Sequence, residues 1–131
     1  MMMAYIFTEA QNPLEVAERE WGKADPIMFT KFTSCIGIMG IKDGKVIGVH
    51  LTLMGTEDEW VTNANIDQAV ALLDGATNPV VIGQIEIWED TVPGVYQHLL
   101  DTLHPVAIYP KDDGIYGGQN DNGSVKILTA P

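Results

Sequence analysis

Cys35, the chain's one thiol, and His50 stand fifteen positions apart, on either side of a Lys42-Asp43-Gly44-Lys45 segment. Asp-Gly between two apolar runs is a strong hairpin signal. A two-residue turn at Asp43-Gly44 pairs Ile41 with Val46, Gly37 with His50 and Cys35 with Thr52. Facing residues share a side of the ribbon, and alternate residues of one strand share a side. Cys35 and His50 then become diagonal neighbours on one face, about 7–8 Å apart at the backbone and closer at Cβ. A four-residue turn keeps that register, whereas an odd-length turn would put the pair on opposite faces. Gly37, facing the histidine, would leave space for its ring.

Such a pair has a chemical use. A free thiol is mostly protonated at neutral pH, and the thiolate is the nucleophile. An imidazole within reach takes the proton and later returns it to a leaving group. The same residues also suit a plain structural role, the cysteine as a small hydrophobe among isoleucines and the histidine as a satisfied polar residue.

The elements that must position the pair read as follows. Tyr5 to Thr8 is a short strand. Asn12 as cap, Pro13 at the first helical position and Glu15 predict a helix through Leu14, Ala17 and Trp21 to a stop at Gly22. Strand-like sequence runs from Ile27 to Phe32, Cys35 to Ile41 and Lys45 to Met54, and Gly55 to Val61 reads as an acidic loop. A helix capped by Asn65 carries Ile66, Ala69, Val70 and Leu73 to Gly75. Val80 to Trp88 reads as a strand, and Thr91-Val92-Pro93 opens a helix ending at His104-Pro105. Val106 to Tyr109 is strand-like, Lys111 to Gly123 reads as loop, and Ser124 to Leu128 closes the chain as a strand. The order predicts one domain over residues 1–131: α+β, a mixed β-sheet or β-sandwich flanked by about three helices.

Composition narrows the partners. Eighteen acidic residues against seven Lys and Arg give a net charge of −11, which repels nucleic acid and anionic membranes. No apolar run approaches the roughly 20 residues of a membrane span, and the start lacks a secretory pattern. A cytoplasmic protein or a delivered effector, monomeric or weakly dimeric, is expected. No metal site is expected: Glu57-Asp58-Glu59 lacks alternating oxygen ligands, and Asn120-Asp121-Asn122-Gly123 lacks the distal bidentate glutamate of a calcium loop and reads as a turn. His98 and His104 read as helix-surface and helix-end residues.

Thr33-Ser34-Cys35-Ile36-Gly37-Ile38 and Ile47-Gly48-Val49-His50-Leu51-Thr52-Leu53 resemble the nucleophile and base segments of the chemotaxis receptor glutamine deamidases. The catalytic domain of cytotoxic necrotizing factor toxins has a similar Cys-strand-turn-strand-His arrangement. Later segments resemble the deamidases in order: Asn65 to Leu73, Val80 to Ile87, Val106 to Tyr109 and Asn122 to Ile127. Thr33 stands where those proteins carry glycine. Their arginine-asparagine pair and later arginines are absent, with Val95-Tyr96-Gln97 and Tyr116-Gly117-Gly118 in the corresponding region, which argues against chemotaxis receptors as the target.

The resemblance implies a divergent cysteine hydrolase that converts a glutamine side chain of a partner protein to glutamate, without metal or organic cofactor. Cys35 would be the nucleophile and His50 the base. Thr30 is the nearest match to the family's third site member and would orient the imidazole through its hydroxyl or carbonyl. Backbone N–H groups around Ser34 and Cys35 would hold the oxyanion. By its place one loop beyond the histidine strand, Trp60 would either border the cleft or pack in the core. Amine transfer to the same thioester (transglutamination) is a close variant. The rival expectation is a non-catalytic acidic binding or inhibitory module that keeps the fold and buries an inert Cys35.

Overall fold

The computed structural model describes residues 5–131. Among the described residues nine strands form two sheets, with three helices. The larger sheet holds β1 (Thr8–Glu9), β2 (Glu20–Ala24), β4 (Ile36–Lys42), β5 (Lys45–Leu51), β6 (Thr77–Gly83) and β7 (Ala107–Pro110), in the order β1-β2-β5-β4-β6-β7. The smaller sheet is β3 (Ile27–Met28), β8 (Tyr116–Asp121) and β9 (Ser124–Thr129), ordered β3-β8-β9. Helices α1 (Asn63–Leu72), α2 (Ile85–Thr91) and α3 (Pro93–Leu103) complete an α+β fold.

Strand alternation divides the interior in two. Ile36, Ile38, Val49, Leu51 and Val81 point toward the helices, where they pack with Ile66, Ala69, Trp88 and Leu99. Met39, Ile41, Val46, Val80 and Ile82 point the other way and pack with Ile27, Phe29, Phe32, Tyr116 and Val125 of the small sheet and its approach. The large sheet is therefore a middle layer covered on both sides, in accord with the nearly uninterrupted burial of β4 and β5.

The central hairpin forms as its turn chemistry requires. Ile41 pairs with Val46, Gly37 with His50 and Lys42 with Lys45. Asp43 and Gly44 have φ of 54° and 73°, the positive values a two-residue type I′ turn needs. A second such turn, at Asn122 and Gly123 with φ of 51° and 89°, joins β8 to β9.

Several assignments differ from the sequence pattern: the expected strands over 5–8 and 27–32 are confined to Thr8–Glu9 and Ile27–Met28. Residues 12–22 are not helical. The Asn12 side chain accepts from the Leu14 N–H, the Glu20 side chain accepts from the Ala17 N–H, and Arg19 is left-handed at φ 62°. The chain then pairs as β2 along β5, from Trp21 opposite Val49 to Ala24 opposite Val46. Local capping signals lose here to a ladder that also satisfies the backbone of β5. The strand expected over Val80 to Trp88 instead runs from Thr77 to Gly83, and α2 starts two residues later. The glycine-rich stretch before Gly123 contains β8, because Gly117 and Gly118 lie where the small sheet packs closest. A Cβ on Gly117 would fall 2.1 Å from the Ile27 carbonyl oxygen, and one on Gly118 would fall 2.7 Å from the Met39 sulfur. At α1 the N-cap is Thr62, with Asn65 returning the bond as the third residue of a capping box.

Candidate active site

Cys35 immediately precedes β4, and His50 is the penultimate residue of β5. The register that pairs Gly37 with His50 puts thiol and imidazole on the same face of the sheet, the one turned toward the small sheet. The space beside Gly37 is filled. A Cβ there would lie 2.6 Å from the Phe29 ring and 3.2 Å from that of Phe32. These two rings stand edge-on to the imidazole, with centroid distances of 5.6 and 4.8 Å. Glycine in the strand thus lets phenyl rings in, where an open slot was expected.

His50 is fully buried, and its Nδ1 lies 2.9 Å from the carbonyl oxygen of Val16. A carbonyl can only accept, so Nδ1 carries the proton and Nε2 presents its lone pair. Nε2 has no hydrogen-bond partner among the described residues. Burial moves the imidazole pKa below its ordinary value, against the opposing pull of the Val16 carbonyl, and keeps the ring neutral.

The expected orienting group was Thr30. Its contribution is indirect: the Thr30 N–H donates to the Val16 oxygen at 3.0 Å, so histidine and threonine share that one acceptor. Val16 itself reaches this position because its own N–H donates to the Met28 carbonyl and it bridges to Phe29. The main-chain carbonyl of Val16, a residue with no polar side chain, thus supplies the orienting oxygen.

Cys35 is 3% exposed and sits in the same apolar cluster as Phe29, Phe32 and Met39. Burial pushes its thiol up to about 11, and the negative charge of Glu18 adds to that, while backbone hydrogen bonds at Ser34 and Thr33 pull the other way. At neutral pH the pair is thiol plus neutral imidazole, not thiolate plus imidazolium.

The surface beside the pair is a cavity of about 350 Å³ whose wall includes Glu18, Arg19, Ser34, Thr52, Met54 and Trp60. Arg19 spans it, donating to Thr52 Oγ1 at 3.1 Å and to the Met54 carbonyl at 3.2 Å, with Glu18 at 3.6 Å. The Arg19 N–H also donates to the His50 carbonyl, which ties this wall to the base strand. Ser34 lines the cavity, and its carbonyl accepts from the Trp88 indole at 3.0 Å. Trp60 stands half exposed on the rim, held by its bridge to Met54. Ser34 and Trp60 thus line one cavity whose wall includes neither Cys35 nor His50, and Thr30 joins His50 through the Val16 carbonyl. Glu18 and Arg19 have no signal in the sequence, since the helical pattern there assigns them to an ordinary solvated face.

Among the described residues no group of three or more His, Cys, Asp or Glu is placed to hold a metal ion, and no helix is long and apolar enough to cross a membrane. His98 Nε2 pairs with Asp67 at 2.7 Å between α3 and α1, and His104 closes α3 in a left-handed conformation. No protein-family model, no curated protein and no solved structure matches the chain.

Proposed function

We propose that the protein is a cysteine-dependent amidohydrolase acting on a glutamine side chain of a partner protein. The observation that carries this reading is the state of His50: Nδ1–H anchored on the Val16 carbonyl, Nε2 buried and unpartnered, and a thiol diagonal to it on the same sheet face. A buried ring nitrogen without a partner costs stability, and its retention is rational where a proton is to be received. The resemblance of Thr33–Ile38 and Ile47–Leu53 to the deamidase segments points the same way.

The chemistry follows from two neutral partners. Cys35 turns toward the imidazole, Nε2 takes the thiol proton, and sulfur bonds to the carboxamide carbon. Backbone N–H groups around Ser34 and Cys35 face the developing oxyanion. The C–N bond breaks as the imidazolium gives its proton to the amine, releasing ammonia and leaving a thioester. Water, deprotonated by Nε2, attacks the thioester, and the proton returns to sulfur as glutamate departs. The substrate enters past Trp60 and Arg19.

The rival is a non-catalytic acidic binding module, and one observation favours it: a thiol 3% exposed with its pKa pushed up to about 11. A single experiment separates the two. Incubation with casein as a glutamine source should release ammonia and add about one dalton at glutamines. Cys35→Ser and His50→Ala should abolish both signals, and Trp60→Ala should raise KM with the fold intact. No ammonia, no mass gain and no Cys35 adduct with a glutamine-shaped chloromethyl ketone would leave the binding module as the function.

A further inference from the structure

A second, larger cleft of about 690 Å³ opens where the parallel strands β6 and β7 end, with Gly83 beside Pro110. The carboxyl ends of adjacent parallel strands are a recurrent place for ligands, because the connections diverge there. The wall includes Gln84, a residue 6% exposed. Its Nε2 donates to the Phe32 carbonyl at 3.3 Å and to Asp113 Oδ1 at 3.0 Å. Both partners are oxygens, so the carboxamide orientation is fixed, and exchanging its O and N would set oxygen against oxygen. Its Oε1 is left buried with no hydrogen-bond partner among the described residues. An unpaired buried carbonyl oxygen asks for a donor.

The surrounding charge says which kind. Glu86, Asp112 and Asp113 line the cleft against one cation, Lys111, which lies 5.9 Å from the Tyr116 ring centroid. Ile85, Ile87 and Pro110 add apolar walls. A buried, unpaired acceptor on the lining residue Gln84, carboxylates around the cleft and aliphatic sides suit a cationic N–H donor on a short alkyl stem.

We propose that this cleft binds an alkyl-ammonium or alkyl-guanidinium group, either a free small amine or a Lys or Arg side chain of a peptide. The cation donates to Gln84 Oε1, its charge meets Glu86 and Asp112, and its stem lies on Ile87 and Pro110. The site does not depend on the thiol chemistry, although the Gln84 N–H donates to the Cys35 carbonyl at 3.0 Å and so joins the two regions through the backbone.

The test is an NMR titration of the full chain with agmatine and, separately, with a blocked Gly-Arg-Gly peptide, using butyramide and butyrate as uncharged and anionic counterparts. Saturable shifts of the Gln84 side-chain amide and the Lys111 backbone are expected with at least one of the two cations. Agmatine alone would indicate a free amine, and the peptide alone a protein side chain. The double variant Glu86→Gln, Asp112→Asn, which conserves shape, should weaken the cation about tenfold, as should raised salt. Gln84→Met should weaken it while keeping the volume, and if that variant does not fold, the double variant decides. Butyrate or butyramide binding as tightly as the cations, shifts confined to other surfaces, or no saturable shift at all would overturn the proposal.

Discussion

The two faces of the large sheet are both covered and are built from different materials. The helix-facing side is filled by Ile36, Ile38, Val49, Leu51 and Val81 against the aliphatic and indole groups of the helices. The side facing the small sheet has glycines at 37 and 48 with the Phe29 and Phe32 rings packed against them, and it also carries the thiol and imidazole. Aliphatic side chains on both partners interdigitate without leaving room for a polar group. Rings laid over glycine leave flat seams, and in one of these a histidine can keep a nitrogen unpaired. The candidate pair therefore lies on the face where β4 and β5 carry glycines opposite phenyl rings.

The comparison can be broken most directly by removing one large side chain from each face. Phe32→Ala should cost about 3–5 kcal/mol and Leu99→Ala about 2–5 kcal/mol, read by chemical denaturation. Only Phe32→Ala should also speed alkylation of Cys35 in the folded protein. Equal acceleration by both would mean that the two faces are not separate environments. Next in size, Gly37→Ala drives a methyl into the Phe29 ring and should cost about 1–3 kcal/mol. Gly94→Ala, at a helical site with nothing within 4 Å of the added carbon, should stabilise by up to about 1 kcal/mol.

The faces should also separate by pH. His50 is held below its ordinary pKa in the fold, so unfolding takes up a proton as pH falls. Its contribution is fully present above about 6.5 and is lost as pH drops through the folded value, with a slope of at most about 1.4 kcal/mol per pH unit. Denaturation of His50→Gln across that range should lack this slope. Cys35 alkylation in the folded wild type should climb only toward the thiol's raised value of about 11. A plateau near pH 7 would instead reveal a thiolate stabilised beyond anything this geometry supplies. Thr62→Ala removes the cap of α1 and should cost about 1 kcal/mol with no change in thiol reactivity.

Legibility followed range of interaction. The hairpin could be read to the residue because its turn, Asp43-Gly44, and its period of two are local properties, and Gly37 does face His50. The α+β class and helices α1 and α3 were visible for the same reason. Residues 12–22 carried equally local signals for a helix, yet pairing with β5, distant in sequence, prevailed. The hairpin at Asn122-Gly123 was hidden because Gly117 and Gly118 look like loop until a neighbouring sheet requires them. In the candidate site, Cys35 and His50 could be nominated by type and spacing, Ser34 through the deamidase resemblance and Trp60 by its place one loop after the histidine strand. The Val16 oxygen could not, since every residue has a carbonyl and only packing selects which one meets an imidazole.

Sequence alone determined that sulfur and ring nitrogen share one face of a ribbon, because side-chain alternation and turn parity leave a single answer. Tertiary structure decided what lies over that face: the small sheet and the rings of Phe29 and Phe32, which take the thiol out of water and raise its pKa. The division has a simple physical origin. Register is set by backbone geometry within a few residues of a turn, whereas desolvation is set by whatever the rest of the chain brings from far away.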